Sequence, residues 1–337
     1  MGHRVALAFE DGVTRFIDMG PNELVADAAY RLGLNIPMDC RDGACGTCKS
    51  FCESGKHTKG SYIDDAMTED EAKLGYVLTC QMKVQSDCVI RIAASSAVCK
   101  VKPVVLKTTV KQVRQLSAST VGLTVTLEPG ATLSFLPGQY MKVGIPGTTQ
   151  NRSYSFSSMA KGGEVDFLVR NIPGGMMSTY LTAQAKPGDT VTMTGPVGSF
   201  YLREIKRPLL FLAGGTGLAP FLAMLEDIMR TGSGHPIHMI YGVNTDADLV
   251  EMAKLEAFAA DNSAFTFSTV VADAASSHPR KGYVTHHMSD ELLCGGNVDI
   301  YLCGPPPMVD AVRNFLEAKG IKPANFYFEK FSASETM

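Results

Sequence analysis

The 337-residue sequence predicts a multidomain protein whose parts are, in order, α+β, all-β and α/β. Three observations carry this reading. Near the N-terminus, two alternating strands and a helix lead into the loop Cys40-Arg41-Asp42-Gly43-Ala44-Cys45-Gly46-Thr47-Cys48. From Val104 to about Tyr201, six short alternating runs are separated by turn signals such as Pro129-Gly130, Pro146-Gly147, Gly162-Gly163 and Pro187-Gly188. After Arg207 apolar strands alternate with helical segments, the texture of a parallel, doubly wound sheet. The expected domains are 1–96, a linker over 97–103, 104–206 and 207–337.

Within the first domain Val5, Leu7 and Phe9 alternate, Asp11-Gly12 signals a hairpin turn, and Val13–Ile17 returns as a strand. Leu24–Leu32 has helical spacing and stops at Gly33, while Thr68 and Glu71 frame a capped helix over Thr68–Leu74. Val89–Ile92 closes the unit as a strand. The C-x4-C-x2-C set Cys40, Cys45 and Cys48, with Cys80 in Leu78-Thr79-Cys80-Gln81, offers four thiolates at the spacing that holds a plant-type [2Fe–2S] centre. A zinc site would ask for a second C-x2-C-like pair, which is absent. Gly43, Ala44 and Gly46 let the backbone approach the cluster and aim N–H groups at its sulfurs. Strand–strand–helix–loop–strand is the β-grasp order, and residues 1–96 resemble plant-type ferredoxins.

Composition bounds the partners. With 45% hydrophobic and 19% charged residues the chain has ample core, and a net charge of −3 argues against a general nucleic-acid binder. Residues 1–99 hold 10 Lys and Arg against 14 Asp and Glu, net −4; the remainder holds 21 against 20, net +1. Asp39, Asp42, Asp64, Asp65, Glu69, Asp70 and Glu71 lie at this acidic end, as solvated surface or as a docking face. No apolar run approaches the length of about eighteen residues that suggests a membrane span, and the N-terminus leads into a strand and not a signal sequence. Nine cysteines without paired spacing beyond the cluster set predict a cytoplasmic protein. Cys52, Cys88, Cys99 and Cys294 read as buried small residues.

The middle runs, 107–113, 121–127, 139–145, 152–157, 164–170 and 190–194, predict a six-stranded antiparallel barrel. In the last third, strands at Leu209–Ala213, Ile237–Val243, Phe265–Val271, Val298–Leu302 and Phe326–Phe328 predict a five-stranded parallel sheet. A helix with Leu218, Phe221, Leu222, Leu225 and Met229 on one face follows the first strand, and Met224 and Met229 read as core. Gly214-Gly215-Thr216-Gly217 joins that strand to that helix, which is the context phosphate binding demands. Asp246, just past the second strand, stands where doubly wound folds place an acid on the adenosine ribose, and so predicts NADH. His286-His287 and His235-x2-His238 lack further ligands for a metal.

Arg152-Ser153-Tyr154-Ser155 resembles the Arg-x-Tyr-Ser signature of the ferredoxin–NADP reductase-like flavoproteins. The resemblance implies that Arg152 pairs with the FAD pyrophosphate, that Tyr154 packs on the flavin, and that Ser155 hydrogen-bonds near its reactive nitrogen. Gly174-Gly175-Met176-Met177-Ser178, opening a helix, supplies N–H groups for phosphate. Gly214–Pro220 matches the family's G-G-T-G-x-x-P form, and Cys303-Gly304-Pro305-Pro306-Pro307-Met308 its Cys-Gly-Pro-x-x-Met element. Cys303 and Gly304 would border the nicotinamide, with Cys303 shaping the pocket and not acting as a nucleophile. Phe328-Glu329-Lys330-Phe331 matches a position where an acid and an aromatic approach the flavin; the plant-type members end there, whereas this chain runs on to Met337. Ser155, Cys303 and Glu329 are thus the expected catalytic group, with Phe331 against the cofactor.

Ferredoxin, flavin barrel and nicotinamide domain in one chain make a relay, NADH to FAD to [2Fe–2S] to a partner, because FAD couples hydride to single electrons. The whole chain resembles the reductase components of ring-hydroxylating dioxygenases of the benzoate 1,2-dioxygenase type, which implies a terminal Rieske oxygenase as partner in aromatic-acid degradation. A reductase for a di-iron monooxygenase has the same modules. A redox-sensing regulator would need an effector or nucleic-acid-binding segment, and none is visible.

Overall fold

The computed structural model describes residues 2–100 and 103–331. By internal contacts the chain divides into two compact units, one running to Val104 with Val197–Ser199, the other comprising Val105–Pro196 and the residues from Phe200 onward.

In the first unit five strands form one sheet in the spatial order Thr14–Asp18, Arg4–Phe9, Cys88–Ile92, Lys49–Ser54, Tyr76–Leu78. Arg4–Phe9 pairs antiparallel with Thr14–Asp18 and parallel with Cys88–Ile92. Val5, Leu7, Phe9, Ile90 and Ile92 share one buried cluster, as period-two alternation requires. Val25–Arg31 forms the helix, burying Val25, Ala26, Ala28 and Ala29. The helix Glu69–Leu74 is capped reciprocally: the Glu71 N–H donates to Thr68 Oγ1 at 3.2 Å and the Thr68 N–H to Glu71 Oε2 at 3.0 Å. Lys49–Ser54 and Tyr76–Leu78 were not foreseen: the first buries only Ser50 and Cys52, and the second is three residues long. In neither do the residue types show the apolar–polar alternation that marks a strand in sequence.

Ser96–Lys100, at the start of the expected linker, is a short helix; residues 101 and 102 of that segment lie outside the described residues. One sequence expectation needs correction here. Cys52, Cys88 and Cys99 are buried as expected, but Cys294 is exposed, in a left-handed conformation after a single helical turn. Among the described residues no two cysteines form a disulfide.

The middle third is a six-stranded sheet in the order Asn151–Ser155, Tyr140–Gly144, Thr190–Val197, Val104–Ser117, Thr120–Leu127, Glu164–Arg170. Just past the first of these, Phe156 bridges to Phe167 in the last, so the sheet closes on itself. Phe156 and Phe167 are fully buried with Phe135 stacked on Phe156 at 3.7 Å between ring centroids, and these rings fill the barrel. Full burial of one such ring is worth about 1.5–3 kcal/mol. Glu164–Arg170 follows a turn whose two glycines both have positive φ.

The last third is a five-stranded parallel sheet in the order Phe265–Val271, Ile237–Val243, Leu209–Gly214, Asp299–Gly304, Asn325–Lys330. Leu209, Phe211 and Ala213 face one cluster with the helix Ala219–Thr231; Leu210 and Leu212 face a second with the helix Pro306–Ala318. Burial on both faces is why these strands read as unbroken apolar runs. Met224 is fully buried in that first cluster, as expected of core. The order places the first strand beside the fourth, and their carboxyl ends open the crevice where such folds bind ligands. Among the described residues no helix is long and apolar enough to cross a membrane.

Candidate functional site

The cluster loop has no regular structure, so its geometry comes from turns and from glycine. Gly43 and Gly46 have φ of 86° and 72°, and a Cβ on them would lie 2.3 Å from the Ser61 carbonyl oxygen and 2.9 Å from that of Ala66. Only glycine satisfies both the torsion and the space. The Ala44 N–H donates to Asp42 Oδ1 at 3.1 Å and the Cys45 N–H to Cys40 Sγ at 3.3 Å. Cys40 and Cys45 are half-buried; Cys48 and Cys80 are buried.

The thiols meet in pairs. Cys40 contacts Cys45, and Cys48 contacts Cys80; each pair's hydrogen bond pushes one thiol up, Cys40 or Cys48, and its partner, Cys45 or Cys80, down. Among the described residues no three His, Cys, Asp or Glu side chains converge to hold a single ion. Two thiols per iron is instead the donor set of a two-iron centre, so the residues fit a [2Fe–2S] cluster. The Gly43 N–H bonds to Cys80, and Thr47 bonds to Cys45 through both N–H and hydroxyl. Thr47 and Gln81, which bonds to Cys80, were not singled out from sequence. Their only signal is a polar residue adjoining a ligand cysteine. Gly43→Ala meets a left-handed cost of about 1–2 kcal/mol on top of the Ser61 contact. It is expected to lower iron content and visible absorbance per chain, measured against an unchanged flavin content.

In the acidic region, Asp64, Asp65, Glu69 and Asp70 are exposed. Glu71 is withdrawn from that face: it is 8% exposed and held by Lys49 at 2.8 Å as well as by the cap.

On the barrel, Arg152, Ser153, Tyr154 and Ser155 lie in the strand Asn151–Ser155. Arg152 and Tyr154 are half-buried, and burial pushes the Tyr154 phenol well up. Ser155 is 2% exposed and its hydroxyl donates to Glu329 Oε2 at 3.2 Å. Gly174 has φ of 73° with open space where a Cβ would stand, and Gly175 precedes the first helical residue, Met176. The first N–H groups of a helix lack intrahelical acceptors and suit a phosphate. Met177 is 3% exposed within the barrel core, so its backbone alone can serve a ligand. The Ser178 hydroxyl accepts from the Ile172 N–H at 2.8 Å and braces the loop.

At the carboxyl ends of two central strands of the parallel sheet, Gly214 and Gly304 abut: a Cβ on Gly304 would lie 3.3 Å from the Gly214 Cα. A Cβ on Gly217 would fall 2.2 Å from the Cys303 carbonyl oxygen, so this glycine lets the loop lie on the neighbouring strand end. Gly215–Leu218 is a single 3-10 turn, with Thr216 buried, and the α-helix starts after it. Cys303 pairs with Glu329 in strand register. It is completely buried, and burial first and the Glu329 charge second push its thiol well up. A thiol so placed shapes a wall and does not attack. Ser155, Cys303 and Glu329 are therefore brought together at one point. Phe331 is half-buried against the adjoining core, its N–H donating to the Gly304 carbonyl at 2.9 Å. Asp246 is exposed at the start of a short turn, Asp246–Asp248, beyond the second strand.

Three families match in the order in which the folds occur. A 2Fe-2S iron-sulfur cluster binding domain covers residues 8–85, an oxidoreductase FAD-binding domain 107–201 and an oxidoreductase NAD-binding domain 211–314. Fold and site thus define an oxidoreductase that carries electrons from NADH through FAD to a [2Fe–2S] centre. The toluate 1,2-dioxygenase electron transfer component of Pseudomonas putida is 60% identical over 335 residues, which is 99% of this chain and 100% of that protein. The 2-halobenzoate 1,2-dioxygenase electron transfer component of Burkholderia cepacia is 50% identical over 334 residues, 98% of both. The chain belongs to this family of dioxygenase electron transfer components. A crystal structure of an Amycolatopsis cytochrome P450 reductase superposes with a TM-score of 0.73 at 28% identity, covering 98% of this chain and 100% of that one.

Proposed function

We propose that this chain is the cytoplasmic reductase that supplies a terminal Rieske oxygenase of the benzoate type with electrons from NADH. The likeness to the toluate and halobenzoate components along the whole chain supports this reading over a di-iron monooxygenase partner or a regulator. The five cysteines outside the cluster set form no disulfide among the described residues, which fits a reducing compartment. The test is reconstitution: with a purified benzoate-type oxygenase, NADH and benzoate, the chain should support oxygenation of the ring. Steady NADH oxidation with an artificial acceptor and none with that oxygenase would sink the choice of partner.

In this reading the domains are 1–96, 104–206 and 207–337, joined at 97–103. Bound FAD supplies the conversion of hydride to single electrons. Arg152 balances its pyrophosphate, with Ser153, Gly174, Gly175 and the N–H groups of Met176, Met177 and Ser178 about the phosphates. Tyr154 and Phe331 would pack against the flavin. Ser155, whose hydroxyl donates to the Glu329 carboxylate, would supply a polar group near the flavin's reactive nitrogen. Gly214, Gly215, Thr216 and Gly217 receive the dinucleotide phosphates, and Cys303 with Gly304 bounds the nicotinamide.

Asp246 faces the adenosine ribose. Its exposed carboxylate repels a 2′-phosphate, and the neighbouring Val243-Asn244-Thr245 offers no cation to receive one. NADH is expected to be favoured over NADPH, and Asp246→Ala to narrow the gap in kcat/KM about tenfold or more. Equal efficiency of the parent with both cofactors would remove this role.

The exposed acids Asp64, Asp65 and Asp70, with Asp42 in the cluster loop, form the docking face for a basic oxygenase surface. Electron delivery to the partner is then expected to fall about tenfold or more from low to high salt, while reduction of a small neutral acceptor holds steady. A partner reaction indifferent to ionic strength leaves these charges as solvated surface.

A further inference from the structure

The turn that carries Asp246 is not held by its own domain alone. Asp248, two residues on, accepts from the Thr245 N–H and hydroxyl at 3.1 and 2.8 Å. Its other oxygen, Oδ1, accepts from the Ser119 hydroxyl at 2.5 Å, and Ser119 belongs to the barrel hairpin joining Val104–Ser117 to Thr120–Leu127. Three residues further, the Glu251 carboxylate is 6% exposed and accepts from Arg114 of the same hairpin at 3.3 Å, with Lys254 at 3.1 Å. Glu251 has φ of 57°, a left-handed conformation that a residue with a Cβ keeps only under constraint.

The hairpin itself is fixed. The Asn171 N–H donates to the Ser119 carbonyl at 2.8 Å and its side-chain amide to the Ala118 carbonyl at 2.9 Å. Leu116 from the hairpin and Leu249 from the turn both pack against the same apolar cluster of the parallel sheet. The buried Tyr241 hydroxyl donates to the Asp248 carbonyl at 3.2 Å. Burial pulls the Asp248 carboxyl up, but the bonds from Ser119 and Thr245 outweigh it and hold the group below the ordinary carboxylate range. Residues 244–247, by contrast, are exposed. The exposed end of the turn is therefore free for a ligand, while the inner end is clamped from the barrel.

We propose that Ser119 and Arg114 of the barrel hairpin are positioning residues for the adenosine end of NADH: they hold the Thr245–Glu251 turn and so set how well the chain binds NADH and rejects NADPH. This rests on the reading of Asp246 as the ribose-facing acid. A recognition acid on an exposed turn discriminates only as well as that turn is held. The clamp needs no contact with the cofactor.

The test uses the full-length protein loaded with FAD. Ser119→Ala, Ser119→Thr, Arg114→Gln and Asp246→Ala are compared with the parent for KM with NADH and NADPH, kcat with ferricyanide, flavin content and Tm. Ser119→Ala is expected to raise KM for NADH about tenfold or more, the scale of one lost hydrogen bond to a charged group, with kcat at saturation and flavin content retained. The NADH-over-NADPH ratio narrows, Arg114→Gln moves the same way, and Ser119→Thr restores the parent values. If Asp246→Ala narrows the ratio but Ser119→Ala only lowers Tm, the clamp is overturned and the role of Asp246 stands. If Ser119→Ala raises KM for NADH while Asp246→Ala leaves the ratio alone, Asp246 is not the ribose acid, and the claim that the clamp sets NADPH rejection is overturned with it, leaving only its effect on NADH binding. If neither changes KM or ratio, both fail.

Discussion

Cys80→Ala is expected to lose the [2Fe–2S] centre while keeping its FAD and its ability to reduce ferricyanide with NADH. Cys80 contacts Cys48, and removing it leaves one of the two thiol pairs with a single member. The barrel and the parallel sheet have their own apolar clusters, none of which includes a residue of the cluster loop. The flavin half has no reason to unfold with the iron site. Iron per chain should fall to background, and reduction of a cytochrome c or of the oxygenase should fall about a hundredfold or more. Arg152→Ala is the converse: flavin content and both activities drop, while the visible absorbance of the iron–sulfur centre stays. A Cys80→Ala protein that retains FAD yet cannot reduce ferricyanide would show that the cluster does not lie downstream of the flavin.

Much of this architecture could be read from local pattern because each part repeats a short-range rule. The parallel strands are buried on both faces and so stand out as apolar runs, and the barrel strands are punctuated by glycine and proline turns. The four cysteines are legible because ligand chemistry tolerates few substitutes. What sequence did not reveal depends on partners distant in the chain. Lys49–Ser54 is a strand because Ser50 and Cys52 face Ile92 and Ile90 across a ladder, and a short polar run carries no such signal. Glu71 looks like surface charge until Lys49, 22 residues away, closes on it. Ser119 and Asp248 are 129 residues apart, and nothing in either neighbourhood predicts their contact. The exposure of Cys294 follows from its left-handed position after a one-turn helix, a conformation that residue type does not announce.

Ser155→Ala and Glu329→Gln are each expected to slow reduction of bound FAD by NADH about a hundredfold, in line with losing one well-placed polar group in an enclosed site. The two residues come from different sheets: Ser155 ends a barrel strand, and Glu329 lies beside Cys303 at the edge of the parallel sheet. Their contact at 3.2 Å, with Ser155 2% exposed, joins them into one polar element where the strand ends converge. In that pair Glu329 accepts and Ser155 donates, so the carboxylate fixes the direction of the hydroxyl. Glu329→Gln keeps the shape but removes the charge and leaves the hydroxyl free to turn. If they act as a unit, the double variant should be little slower than the slower single, because the second change removes something already lost. The measurement is anaerobic stopped-flow bleaching of the flavin at saturating NADH, on proteins matched for FAD content. Full flavin content with bleaching within about twofold of the parent in both single variants, far below the loss expected for such a group, would exclude the pair from hydride transfer. Two large effects that multiply would instead make Ser155 and Glu329 independent contributors, each with its own contact to the reacting groups.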